Sequence, residues 1–248
     1  MPGFGEHVAM LESWRLFPGV ERLGGEAADA PGGAAAPGEA AGAPGEAADA
    51  PGGARAALTF DDGPDPDATP AVLDALDAAG VKATFFVVGE QLMRHWAIAR
   101  EARARGHQLA LHGAAHPRHA ELGPAAARDE VARGVGAFEA ATGEQAELFR
   151  PPYGRFSEHS HEACLKLGLT PVYWSAWGCD WEPIPAERIA DLVTRDLAAG
   201  AIVLLHDSAR YAVRESAVPT AGAIPAIAAA ARENGLDLGP IGPSPTGG

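Results

Sequence analysis

From Ala54 to Gly235 the chain alternates short unbroken apolar runs with longer stretches whose apolar residues recur three and four apart. The runs ARAALTF (54–60), VKATFFVVG (81–89), HQLALHG (107–113), PVYWSAW (171–177) and AIVLLHD (201–207) read as strands, and AELFRPPYG (146–154) as a strand and loop. Their continuity suits strands buried on both faces. Between them lie helical patterns. TPAVLDALDAAG sets Val72, Leu73, Leu76 and Ala79 at helical spacing and stops on Gly80. Further helices are predicted near Met93 to Arg105, over 124–142 before Gly143, over SEHSHEACLKLGLT with its closing turn, over PAERIADLVTRDLAAG, and over TAGAIPAIAAAARENG, the last interrupted early by Pro225. About seven strand–helix units fit this region, which predicts an α/β domain with a parallel sheet or barrel.

The rhythm is absent over residues 24–54. The nonapeptide GEAADAPGG occurs at Gly25 to Gly33 and again at Gly45 to Gly53, and nearly every residue is Gly, Ala, Pro, Glu or Asp. So little apolar surface does not offset chain entropy, and the recurrent Pro-Gly breaks any Ala-rich helix. This segment reads as a disordered insertion or linker. Ahead of it, Trp14, Leu16, Phe17 and Val20 suggest that residues 1–23 form a short piece packed on the main domain. Residues 55–242 form that domain, and 243–248 a flexible tail.

The polar residues sort by position. Asp61 and Asp62 end the first strand, His112 and His116 follow HQLAL, Arg150 follows ELF, Asp180 follows YWSAW, and His206 and Asp207 follow IVLL. In a parallel sheet or barrel, active sites are built at the C-terminal ends of strands. In one helical turn His112 and His116 would share a face and grip one ion, with Asp62 as a third ligand. Asp61 would then lie beside the ion as a proton acceptor, kept ionised by Arg150. His206 would be the general acid and Asp180 the carboxylate that raises its pKa. Successive side chains at a strand end point different ways, which would separate the jobs of the two aspartates. Asp65 and Asp67, after the Gly-Pro, read as a surface turn capping the next helix.

Together these residues resemble the NodB-type polysaccharide deacetylases, carbohydrate esterase family 4. Five motifs stand in the family's order between about Ala56 and Leu238: TFDDGP, HGAAH, RPPYG, CDW and LLHD, with ATFFVVG a further familiar stretch. The resemblance implies a deformed (β/α) barrel of about seven parallel strands. It implies a divalent metal, usually zinc, with cobalt, nickel or manganese as alternatives, held by Asp62, His112 and His116. The implied reaction removes N-acetyl groups from an acetylated amino-sugar glycan of the peptidoglycan or chitin kind, with water activated by the metal as nucleophile. Asp61 would be the base, oriented by Arg150. His206 would be the acid, partnered by Asp180. The Tyr153 N–H would meet the oxyanion, and Pro152, Tyr153, Trp181 and Leu204 would contact substrate. Two positions depart from the pattern: Gly113 replaces a Ser or Thr that braces the histidine loop, and Trp177 stands where many members carry an Asp.

Composition narrows the partners. The formal net charge of −14 argues against nucleic acid and anionic membranes, which need a basic face. No run reaches the roughly 18–20 apolar residues that span a bilayer. The N-terminus lacks a basic n-region and an apolar h-region, so the expected location is cytoplasmic unless the true start lies upstream. Cys164 and Cys179 are too few for a disulfide framework and read as free thiols. The sequence leaves assembly state open. It also leaves open an O-acetyl ester or another C–N amide as the scissile bond. A glycan-binding domain with a dead site and an iron-dependent oxygenase are the other readings; the oxygenase normally uses an all-β frame.

Overall fold

The computed structural model describes residues 17, 19–24 and 54–242. The packing expected of residues 1–16, the linker reading of 25–53 and the tail 243–248 lie outside these described residues.

Eight parallel strands form one sheet: β1 (Arg55–Asp61), β2 (Thr84–Val87), β3 (Gln108–Leu111), β4 (Leu148–Phe149), β5 (Thr170–Pro171), β6 (Ala176–Trp177), β7 (Ile202–His206) and β8 (Asp237–Gly239). The order is β5-β4-β3-β2-β1-β7-β6, with β8 beside the start of β1. β1 is buried at every position except Arg55, as its unbroken apolar run requires. Helices α1 (Thr69–Ala79), α2 (Gly89–Arg94), α3 (Trp96–Ala104), α4 (Pro124–Thr142), α5 (Glu158–Lys166), α6 (Ala186–Asp196) and α7 (Val218–Glu233) connect the strands. Phe60, Phe85, Phe86, Leu111, Phe149 and Leu205 lie in one continuous core.

The sheet curls into a deformed barrel, because its two ends, β5 and β6, are separated only by residues 172–175. The expected single strand 171–177 is therefore two short ones. Val172 N–H still donates to Phe149 at one end of the sheet, while Ser175 N–H donates to Ile202 at the other. The N-terminal residues fill the gap between. Val20 accepts from Tyr173 N–H and donates to Pro171, each at 2.8 Å, and Leu23 N–H donates to Gly200 at 2.8 Å.

Other expectations shift locally. The helix expected near Met93 is two helices, α2 and α3, divided at His95 (φ −123°). Helix α7 runs through Pro225; its buried Ala221, Ile224, Ile227, Ala228 and Ala231 outweigh the one missing backbone donor. The short strand β8 lacked a pattern long enough to read. Asp65 is not a surface cap. It is buried, and its carboxylate accepts from Asp67 N–H at 2.9 Å and Ser208 hydroxyl at 2.6 Å. Helix α1 has Ala68 at its N-cap, with no side-chain cap among the described residues.

Candidate active site

A cavity of about 300 Å³ opens at the C-terminal end of the sheet. Asp61, Asp62, His112, His116, Tyr153, Trp181, Leu204 and His206 line it, joined by Arg118, Trp174 and Tyr211. Its residues arrive from the ends of β1, β3, β4 and β7, the loops after them and the stretches after β5 and β6. Among the described residues four non-glycines have positive φ: Asp62 (84°), His116 (66°), Tyr153 (57°) and Cys179 (50°). Three line the cavity and the fourth precedes Asp180. Sparsely populated backbone persists where the surroundings over-determine it.

The two aspartates follow different partners into the same cavity. Arg150 is completely buried. Its guanidinium donates to Asp61 Oδ1 at 2.6 Å, Thr59 Oγ1 at 2.8 Å and the Tyr173 carbonyl at 2.9 Å, and lies 4.0 Å from the centre of the Phe86 ring. Burial pulls the Arg150 pKa down and the adjacent Asp61 carboxylate opposes it. Asp62 does not simply alternate away from Asp61. Its left-handed backbone turns its carboxylate back into the site, with Oδ1 3.5 Å from His112 Nε2 and 3.1 Å from His116 Nε2.

The histidines are not on a helix. Residues 112–116 form a loop between β3 and a 3₁₀ turn at His119–Glu121, which places the two ring centres 5.1 Å apart. The His112 Nδ1–H donates to the Arg150 carbonyl at 2.8 Å, because a carbonyl only accepts; this leaves Nε2 as a lone-pair donor. His116 is held between rings, stacked on Tyr211 at 4.0 Å and edge-on to Tyr153 at 4.6 Å. Burial keeps His116 below its ordinary pKa and therefore in the form that ligates.

The donor set fits a divalent cation. One atom each from Asp62, His112 and His116 lie within 4.8 Å of one another, all buried. Among the described residues Asp62 Oδ1 makes no directed hydrogen bond although two ring nitrogens crowd it. Lone pairs converging on one point are what a metal needs and what hydrogen bonding avoids.

Across the cavity, His206 Nδ1–H donates to Asp180 Oδ1 at 2.8 Å, leaving Nε2 for a transferable proton. Burial alone would lower the His206 pKa, but Asp180, with Asp62 and Asp61 beyond it, raises it to about 9. Asp180 is fully buried and satisfied: its Oδ2 accepts from His206 N–H at 2.9 Å and Thr220 hydroxyl at 2.7 Å, with Arg214 at 3.4 Å.

Arg150 and Asp180, expected as the partners of Asp61 and His206, stand behind them and do not line the cavity. Pro152, expected to contact substrate, is instead buried under Gly113 and does not line the cavity. Trp177 lies in β6, half-buried against the core, outside the cavity. Sequence reasoning missed Thr59, Thr220, Arg214 and Tyr211, whose roles depend on distant partners. It named Asp207 only by position. Asp207 holds the Asp62–Gly63 turn by accepting from Gly63 N–H at 3.0 Å and Thr69 hydroxyl at 2.6 Å. Burial pushes its pKa up to about 7.

A family model described as polysaccharide deacetylase matches residues 48–172. The chain belongs to the polysaccharide deacetylase family. A chitooligosaccharide deacetylase from Bradyrhizobium sp. (strain ANU 289) is 39% identical over 151 residues, covering 60% of this chain and 69% of that protein. A peptidoglycan-N-acetylglucosamine deacetylase from Bacillus cereus is 32% identical over 155 residues, 62% of this chain, which spans 56% of that longer protein. Both are deacetylases by name, hydrolases of non-peptide carbon–nitrogen bonds. Among solved structures, a family 4 carbohydrate esterase from Streptomyces lividans in complex with acetate superposes with a TM-score of 0.67 at 33% identity, over 75% of this chain and 92% of that one. A mutant of a family 4 pseudoenzyme with restored activity aligns with a TM-score of 0.68 at 26% identity, over 77% and 67%.

Proposed function

We propose that this chain removes N-acetyl groups from an acetylated amino-sugar glycan of the chitin or peptidoglycan type. The observation that carries this reading is the division of the aspartate pair. Asp61 is committed to Arg150, while Asp62 is free to join His112 and His116 around a cation. A bound divalent metal, in our reading zinc, would supply a Lewis acid that polarises the acetyl carbonyl and acidifies water.

The chain's own residues do the rest. Asp61 accepts the proton of the attacking water as its oxygen bonds to the carbonyl carbon, and Arg150 keeps that carboxylate ionised and aimed. The Tyr153 N–H is not consumed by the local turn, whose bonds come from Gly154 and Arg155, and it donates to the developing oxyanion. As the carbon–nitrogen bond breaks, His206 Nε2 gives its proton to the departing amine, and acetate leaves with the new oxygen. Asp180 steadies the charged imidazole. Leu204 offers an apolar wall of acetyl size, and Trp181 an aromatic face for a sugar ring.

An acetate-release assay tests the reading, on metal-stripped protein reloaded in turn with zinc, cobalt, nickel and manganese. Chitooligosaccharides and peptidoglycan fragments should release acetate only after reloading. Release from acetylated xylan alone would transfer the site to O-acetyl esters. Glycan binding without release would make the chain a binding domain.

A further inference from the structure

Helix α4 carries a buried carboxylate that the mechanism above does not use. Glu130 is 3% exposed, among buried α4 positions that are otherwise Ala127, Val131, Gly134 and Phe138. A carboxylate among apolar neighbours is costly unless it is partnered. Its partners lie between the two histidines. Glu130 Oε1 accepts from Ala114 N–H at 2.7 Å and Ala115 N–H at 2.8 Å. Its Oε2 accepts from Arg133 at 3.0 Å, which balances the charge.

Helix and loop are built for close approach here. A Cβ on Gly134, one turn along α4, would stand 2.9 Å from the Gly113 carbonyl carbon. A Cβ on Gly113, whose φ is +86°, would meet Glu130 Oε1 at 3.1 Å. From the opposite side, Gly89 and Glu90 N–H donate to the Gly113 and Ala114 carbonyls at 2.9 and 2.8 Å. The loop backbone is thus held on both sides, and Glu130 supplies the whole of one side.

The two histidines differ in how much they need this. His112 is fixed through its ring, by the Arg150 carbonyl. His116 Nδ1 has no hydrogen-bond partner among the described residues. The rings of Tyr153 and Tyr211 fix its tilt, but a stacked ring still slides in its own plane. Its in-plane position must come from the backbone that carries it.

We propose that Glu130 is a positioning residue for the metal centre, clamping the Ala114 and Ala115 amides so that His116 Nε2 meets Asp62. The proposal rests on the reading of Asp62, His112 and His116 as metal-holding.

The test is the zinc affinity of metal-stripped protein, measured by competition with a chromophoric chelator, beside the melting temperature of each metal-free form. Glu130→Ala and Glu130→Asp, which remove or retract the acceptor, should bind zinc about 10- to 100-fold more weakly. Glu130→Gln keeps an oxygen able to accept both amides and should stay within about threefold of wild type. Unchanged zinc affinity in Glu130→Ala or Glu130→Asp, even with a lowered melting temperature, would mark a merely structural group and overturn the proposal. Equal weakening in Glu130→Gln would assign the effect to charge and overturn it as well. If Glu130→Ala does not fold, the Asp and Gln variants decide. Wild-type protein that binds no zinc refutes the metal reading itself and the proposal with it. That outcome is distinct from wild-type binding with unaltered variants, which refutes the proposal alone.

Discussion

Asp61 and His206 are register partners on the adjacent parallel strands β1 and β7. Neighbouring strands lie about 4.8 Å apart, and residues in register point to the same side of the sheet. The group proposed to take a proton and the group proposed to give one therefore face one cavity across a single strand spacing. Each is anchored from behind by a buried partner of opposite charge, Arg150 for Asp61 and Asp180 for His206.

Asp61→Asn should separate chemistry from metal binding. The amide keeps the shape but takes no proton, so kcat/KM for acetate release should fall by about 10²- to 10⁴-fold. Zinc affinity should stay near wild type, because Asp62 and both histidines remain. Zinc loss in a chelator competition would mean that the two aspartates have been assigned in the wrong order.

His206→Ala should matter most where the leaving group is poor. Release from an N-acetyl sugar should drop steeply, while turnover of an activated aryl acetate, whose leaving group needs no proton, should change little. Equal losses on both substrates would remove His206 from the role of acid.

The pH profile carries the sign of the His206 shift. The pKa is raised from 6.5 to about 9, so the imidazolium persists through neutral pH and kcat/KM should decline only as pH rises through about 9. A bound cation opposes the part of the shift owed to Asp62 and Asp61 and moves that limb downward. Asp180→Asn, which removes the largest raising influence, should move it lower still. The same linkage affects stability: the folded-state pKa exceeds the unfolded one, so the contribution is complete below about 6.5 and is lost as pH climbs through 9. Melting temperatures measured from pH 6 to 10 should show that loss in wild type and less of it in Asp180→Asn.

Arg150→Met should destabilise the fold as well as silence it. It leaves the Asp61 carboxylate buried and unpaired, at roughly 3–5 kcal/mol, or a fall in melting temperature of roughly 6–20 °C for a chain of this size. Calorimetry on the double variant Arg150→Met with Asp61→Asn should recover part of the loss. No recovery would show that Arg150 acts through Thr59 and Tyr173 rather than through Asp61.

Gly154→Ala probes the groove wall. Gly154 has a φ of +66°, and a Cβ there would stand 2.5 Å from Trp174 Cη2, so the turn that presents Tyr153 must shift. The expected result is a rise in KM and a fall in kcat on glycans with zinc affinity unchanged. Wild-type kinetics would show that Tyr153 does not need this turn.

The sequence by itself determined the α/β alternation and the ends of strands at which reactive side chains gather. Unbroken runs such as LTF and IVLL are buried on both faces in any parallel sheet, and polar residues placed directly after them fall at one end of it. It also singled out Asp61, Asp62, His112, His116 and His206 as candidates, all of which line one cavity, because short motifs carry their own local geometry. Only the tertiary structure decided the geometry by which these residues meet. Asp62 reaches the histidines because a left-handed turn, tied down by Asp207 just after β7, reverses the expected alternation. The strand expected over 171–177 splits because a curled sheet brings its two ends to the same stretch of chain. Glu130, Thr220 and Arg214 look like ordinary helix and loop residues along the sequence. Their partners lie tens of residues away or on neighbouring loops, and a hydrogen bond between such groups depends on packing that no local pattern encodes.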